Sequence, residues 1–135
     1  MKSIGKITYS PRTHLASSER WAAVLCDDEI SRYYCHLYSK EYPYLNSGRS
    51  IKLTRPIWGA HISFIRGSES TSNPKLWRMD EGKIIEFEYE AGVLDNKEYF
   101  WLKVNCPYLG DLRERMGLRR EPRFGFHLTI GRTTK

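Results

Sequence analysis

Residues 59–66 read GAHISFIR, and residues 125–132 read GFHLTIGR. Both stretches follow one pattern: a glycine, any residue, a histidine, an apolar residue, a hydroxyl residue, an apolar residue, any residue and an arginine. In a β-strand, successive side chains point to opposite faces, so each stretch would bury its apolar pair and present a histidine beside a hydroxyl. The repeat predicts two strands whose polar faces meet at one groove. These faces carry His61 and Ser63 on the first strand, and His127 and Thr129 on the second.

An ordinary half-buried strand offers a simpler explanation of either stretch alone. Such strands alternate apolar and polar residues, and serine and threonine are common on their solvated faces. The chain has only four histidines, however, and two of them stand in the same extended context. The other two, His14 and His36, have no matching hydroxyl, and we interpret them as structural or surface residues. The repeat therefore favours a paired functional site.

Length and composition bound the class of protein. With 135 residues and 40% apolar residues, the chain is expected to form a single globular domain over residues 1–135. It has no run of about 20 apolar residues that would cross a membrane and no apolar secretory signal at its start. Its three cysteines lack metal-ligand spacing, which predicts a reducing, cytoplasmic setting and no structural zinc.

Charge indicates the kind of ligand without identifying the chemistry. The formal net charge of +6 favours polyanionic ligands. The densest basic segment, residues 113–123, carries five arginines diluted by acidic residues. Its pattern fits either a solvated helix face with its exit loop or a phosphate contact.

The order of the elements suggests an internal duplication. A strand, a helix and a histidine strand occur twice, which predicts an α+β fold of two lobes related by pseudo-twofold symmetry around a central groove. An alternating strand over residues 83–90 is expected between the two units. The predicted units are strand 21–26, helix 28–42 and the His61 strand, then strand 99–105, helix 107–116 and the His127 strand.

Two imidazoles suit the cleavage of a ribose phosphodiester. That reaction needs a base for the attacking oxygen and an acid for the leaving oxygen, and imidazole titrates near neutrality. The hydroxyls of Ser63 and Thr129 can donate to phosphate oxygens as charge develops on them. Neither a metal nor another cofactor is required for this chemistry. The residues do not say which histidine is the base.

The paired tetrads His61-Ile62-Ser63-Phe64 and His127-Leu128-Thr129-Ile130 resemble the signature of the two-histidine (2H, LigT-like) phosphoesterase superfamily. This resemblance implies a bilobal fold and phosphodiester chemistry at those four polar residues. Within the superfamily the chain is most similar to small phage-type members. Some of these degrade the cyclic oligonucleotide signals of bacterial immunity (anti-CBASS phosphodiesterases). The resemblance thus implies a cyclic-oligonucleotide substrate and, if the protein is phage-encoded, action in the cytoplasm of the host cell.

Further substrate contacts are expected from arginines and aromatic residues. Each histidine is followed five residues later by an arginine that could hold phosphate, although an odd offset points away from the groove unless the strand ends first. Several aromatic side chains could stack on bases, namely Tyr9, Trp58, Trp77, Tyr99 and Trp101. The candidate binding residues are Arg66, Arg132, Tyr9, Trp77 and Trp101.

Two other functions remain open at this point. An RNA-end processing enzyme that opens 2′,3′-cyclic phosphates would use the same residues. A non-catalytic RNA- or nucleotide-binding module would use the basic charge and the aromatic residues, with the histidines only contacting phosphate. Nothing in the sequence indicates an obligatory protein partner.

Overall fold

The computed structural model describes residues 1–9, 21–56, 59–66 and 78–133. Within these ranges the chain forms seven strands and two helices. Neither helix is long and apolar enough to cross a membrane. In chain order the elements are β1 (Lys2–Tyr9), β2 (Ala22–Cys26), α1 (Asp28–Leu45), β3 (Leu53–Thr54), β4 (His61–Ile65), β5 (Ile84–Asp95), β6 (Tyr99–Asn105), α2 (Pro107–Arg115) and β7 (Phe126–Thr133).

The strands form one antiparallel sheet that closes on itself. Their order is β3-β7-β4-β2-β1-β5-β6, and β6 also pairs with β7. Six strands therefore form a closed barrel, to which β3 adds as a short extra strand along the end of β7. The protein is mostly β.

The expectation of a bilobal α+β fold with duplicated lobes is wrong. Both predicted strand–helix–strand segments exist, but their strands join a single sheet, because β4 pairs directly with β7. On the other side, β1 and β5 connect β2 to β6. Alternation along a strand shows which side chains share a face but not which strand lies alongside, so the sequence pattern did not reveal the closure.

One face of the strands supplies the core. Ile62, Leu102 and Leu128 on this face are completely buried. Both helices pack against the same core, through Tyr34 of α1 and through Leu109 and neighbouring residues of α2. The opposite face of β4, β6 and β7 is left uncovered by these helices, and it carries the polar residues of the two motifs.

Local sequence signals explain the limits of α1. Asp27 caps its N-terminus, where the carboxylate accepts a hydrogen bond of 3.0 Å from the Glu29 amide. The expected end at residue 42 is wrong, because the helix continues through Pro43 to Leu45. A proline in the last turn disrupts the helix less than one in its interior, since few hydrogen bonds follow it.

Candidate active site

The two histidine motifs lie on neighbouring strands, in register. Ile62 of β4 pairs with Leu128 of β7 in antiparallel orientation. One residue to either side, this register sets His61 across from Thr129 and sets Ser63 across from His127. The four polar side chains are half-buried, whereas the central pair is completely buried. Each histidine therefore has its own hydroxyl two residues along the strand and a second one on the adjacent strand.

These four side chains form the floor of an open groove of about 580 Å³. Its volume is typical of small-molecule sites. The described lining carries an arginine, two histidines and three aromatic residues, but no carboxylate. The lining residues are His61, Ser63, Arg66, Asn96, Tyr99, Trp101, Phe124, His127 and Thr129.

A glycine two residues before each histidine orients its ring. Nδ1 of His61 lies 2.9 Å from the carbonyl oxygen of Gly59, so this nitrogen carries the hydrogen and leaves Nε2 for the groove. The ring of His127 makes a corresponding hydrogen bond to the backbone of Gly125. The two glycines have φ of +75° and +70°, in the left-handed region that other residues rarely adopt. The glycines of the sequence repeat thus have a structural role in both halves of the site.

Arg66 reaches the second histidine. Strand β4 ends at Ile65, so the alternation that would have turned Arg66 away no longer applies. Its Nη2 lies 3.4 Å from Nε2 of His127. Because a guanidinium only donates hydrogen bonds, Nε2 is the acceptor and is unprotonated in this arrangement.

The surroundings of His127 favour its neutral form. Burial lowers the pKa of His127 from its usual value of 6.5, and the positive charge of Arg66 lowers it further. His61 adds a smaller effect in the same direction, and the hydrogen bond to the Gly125 backbone partly opposes them. At neutral pH this imidazole is therefore able to accept a proton.

Aromatic side chains form one wall of the groove, on the side of β6. Trp101 pairs with Thr129 across β6 and β7, and its ring centroid lies 5.9 Å from that of His127. Tyr99, two residues earlier, and Phe124, in the loop before β7, are both exposed. The guanidinium of Arg123 lies 5.3 Å from the centre of the Phe124 ring. The wall thus combines stacking surfaces with a cation at its edge.

The other predicted binding residues are placed differently. Arg132 is exposed but lies outside the groove lining, because β7 continues to Thr133 and keeps this side chain in the strand alternation. Tyr9 is buried in the core, where its hydroxyl donates a hydrogen bond of 2.6 Å to the Met79 carbonyl. Trp58 and Trp77 lie outside the described residues.

The basic segment 113–123 divides into residues with different roles. Arg113 is buried and donates hydrogen bonds to the carbonyl oxygens of Phe64 and Arg119, at 2.7 and 2.8 Å. Arg120 forms ion pairs with Asp111 and Glu114. Among the five arginines of segment 113–123, Arg123 is the one adjacent in sequence to a groove-lining residue, Phe124.

Sequence reasoning missed two lining residues. Asn96 occupies the turn between β5 and β6, where its side-chain oxygen accepts hydrogen bonds from the amides of Glu98 and Tyr99. Asp95-Asn96 is a common turn pair, but a local turn signal does not indicate that the turn lies beside the groove. Phe124 follows an arginine in an irregular segment and gave no periodic signal.

Within the described ranges, no group of three histidine, cysteine, aspartate or glutamate side chains could hold a metal ion.

The chain matches no protein-family model, no curated protein and no solved structure. The resemblance to two-histidine phosphoesterases therefore stays a prediction from the two motifs.

Proposed function

We propose that this protein is a metal-independent phosphodiesterase that cleaves ribose phosphodiester bonds by acid–base catalysis, with His61 and His127 as the proton-transferring pair. One observation carries the proposal: two distant segments bring two histidines and two hydroxyls onto one face of adjacent strands, in one groove. A strand face that was merely solvated would not need a glycine carbonyl to orient the His61 imidazole.

The arrangement supplies each group that the reaction needs. Diagonal positions on paired strands separate side chains by about 7–8 Å, which leaves space for a phosphate between the two imidazoles. One ring nitrogen removes the proton from the attacking hydroxyl, and the other protonates the leaving oxygen. Ser63 and Thr129 are placed to donate hydrogen bonds to the non-bridging oxygens as negative charge grows there.

The shape and chemistry of the groove favour a small nucleotide substrate. The aromatic wall offers stacking surfaces that accept any base, and the net positive charge attracts phosphates. We propose a cyclic oligonucleotide of the kind used as an immune signal, and the 2′,3′-cyclic phosphate end of an RNA is the alternative. The three cysteines are free, which fits action in a reducing cytoplasm.

The experiment is a digest of defined substrates in excess EDTA. The panel contains cyclic dinucleotides, cyclic trinucleotides, linear RNA and RNA with 2′,3′-cyclic phosphate ends. Wild type is compared with His61→Gln and His127→Gln, and with His36→Gln as the control, because His36 is exposed on α1. We expect turnover of a cyclic oligonucleotide by wild type and the control, and a loss of about 10²- to 10⁴-fold in each site variant.

The other outcomes distinguish the alternatives. Turnover of cyclic phosphate ends alone would identify an RNA-end processing enzyme. Tight binding without turnover of any substrate would make the protein a nucleotide-binding module. Activity that EDTA abolishes and added metal restores would contradict the acid–base proposal.

A further inference from the structure

The contact between Arg66 and His127 distinguishes the two histidines. Arg66 donates to Nε2 of His127, the ring nitrogen that the proposed reaction would use. In His61 the hydrogen bond is at the other ring nitrogen, Nδ1, which lies 2.9 Å from the Gly59 carbonyl oxygen. The two halves of the site are therefore alike in sequence but different in electrostatics.

We propose that His127 is the general base and that Arg66 is its positioning residue, which donates to Nε2 while the groove is empty and transfers its hydrogen bond to a phosphate oxygen when substrate binds. This inference rests on the proposed function. The hydrogen bond of Arg66 thus makes the reacting lone pair of His127 available only when a phosphate occupies the groove.

The charged groups around His127 support this assignment. From β4 it faces His61, from the residue that follows β4 it faces Arg66, and from β6 it faces Lys103, which lies opposite in the register. Among the described residues of β3 and α1, no charge shifts the pKa of His127. Strand β3 carries Leu53 and Thr54, and α1 packs beneath β7 through Ser31, whose hydroxyl donates to the Thr129 carbonyl.

Burial and the positive neighbours both disfavour a protonated ring, in agreement with the lowered pKa of His127. A bound phosphate reverses the balance. Its negative charge offsets that of Arg66 and accepts the hydrogen bonds of the guanidinium. His127 then becomes a stronger base at the moment when a proton has to be removed.

The resulting step conserves atoms and charge. Nε2 of His127 takes the proton of the ribose 2′-hydroxyl, and the 2′-oxygen bonds to phosphorus. The bond from phosphorus to the 5′-oxygen of the next nucleotide breaks, and that oxygen receives the proton of Nε2 of His61. The products are a 2′,3′-cyclic phosphate and a 5′-hydroxyl. Water can then open the cyclic phosphate with the two histidines in exchanged roles.

The first test is independent of turnover. Long-range ¹H–¹⁵N spectra of the histidine rings report tautomer and titration, and His127→Gln identifies the His127 signals. In the free wild type we expect His127 as the Nδ1–H tautomer. Inorganic phosphate should move its pKa upward, and so should Arg66→Gln without phosphate, after which phosphate should have a reduced effect.

The matched control is Arg49→Gln, which removes an equal charge from an exposed position after α1. This control should titrate as wild type does. Arg66→Lys should restore part of the wild-type behaviour, since it keeps the charge but loses the fork of donors. An unchanged His127 titration in Arg66→Gln, or an Nε2–H tautomer in the free wild type, would overturn the inference.

The second test uses kinetics on whichever substrate is cleaved. Loss of the guanidinium should lower kcat/KM by about 10- to 100-fold, the range for hydrogen bonds to charged groups. The acidic limb of the pH profile should move to higher pH in Arg66→Gln and stay in place in Arg49→Gln. An acidic limb that does not move in Arg66→Gln would overturn the assignment of His127 as the base. A lack of turnover by wild type would instead refute the proposed function and leave the NMR result to decide the Arg66–His127 coupling.

Discussion

Substituting Gly125 with alanine separates the folding role of this glycine from its role in orienting His127. Gly125 has φ of +70°, and a Cβ built there meets no atom within 4 Å. The cost of alanine is therefore conformational, about 1–2 kcal/mol for an L-residue held in the left-handed region. Relief of this strain would rotate the backbone that orients His127. Losing one hydrogen bond is worth about 0.5–1.5 kcal/mol, so kcat/KM should fall about two- to tenfold.

Gly48 provides the matched control, because it has φ of +81° and equally open surroundings in the turn after α1. Urea denaturation should show a similar loss of stability in Gly48→Ala and Gly125→Ala, whereas only Gly125→Ala should lose activity and alter the His127 signals. Gly125→Asn should be less destabilising, since asparagine tolerates this region. Equal activity in the two alanine variants would refute the orienting role. Gly59 is a less direct test, because a Cβ there would lie 3.2 Å from Oδ1 of Asp28.

Four further outcomes follow from the contacts. Arg113→Ala removes two hydrogen bonds donated by a buried guanidinium and should lower the free energy of unfolding by about 3 kcal/mol or more, against less than about 0.5 kcal/mol for exposed Arg115→Ala. Equal losses of stability in urea denaturation would contradict this. Because the pKa of His127 is lower in the folded than in the unfolded protein, where it is about 6.5, the unfolded protein binds the proton first and the fold loses stability as the pH falls from 6.5 through the lowered pKa. His127→Gln should therefore lose less stability than wild type between pH 7 and pH 5. Parallel losses of stability in urea-denaturation series of the two proteins would refute this prediction. Thr129→Val should reduce kcat by about 10²- to 10³-fold with a native thermal unfolding curve, and Thr129→Ser should retain most of the activity if the hydroxyl is what matters. Trp101→Ala should weaken substrate binding by about 1–3 kcal/mol in calorimetry, while Trp101→Phe should keep much of the affinity; an unchanged affinity in the alanine variant would exclude stacking there.

Local elements were predictable because their signals are local. The strand expected over residues 99–105 is confirmed at Tyr99–Asn105, and the helix expected over residues 107–116 is found at Pro107–Arg115. The strand expected over residues 83–90 is found at Ile84–Asp95, and its continuation includes an irregularity between Tyr89 and Val93 that alternation does not signal. Period-2 and helical patterns report neighbouring side chains, so they locate elements well and their ends less well.

Individual contacts depended on where a strand ends. Arg66 and Arg132 hold the same place in the two repeats, yet only Arg66 lines the groove, because β4 stops at Ile65 while β7 runs to Thr133. The prediction of Tyr9 as a stacking residue is wrong, because the strand alternation turns its ring into the core toward Phe64, with the two ring centroids 5.9 Å apart. A residue type alone does not distinguish these positions.

The sequence by itself determined which side chains of each strand share a face, and hence that each histidine has a hydroxyl beside it and an apolar pair behind it. This follows from covalent geometry, because side chains alternate along any extended chain. Only the tertiary structure decided that β4 and β7 are neighbours in register, that six strands close into one sheet instead of two lobes, and that Arg66 contacts His127. Strand partners and register are set by burial and by pairing between distant segments, which a local pattern does not encode.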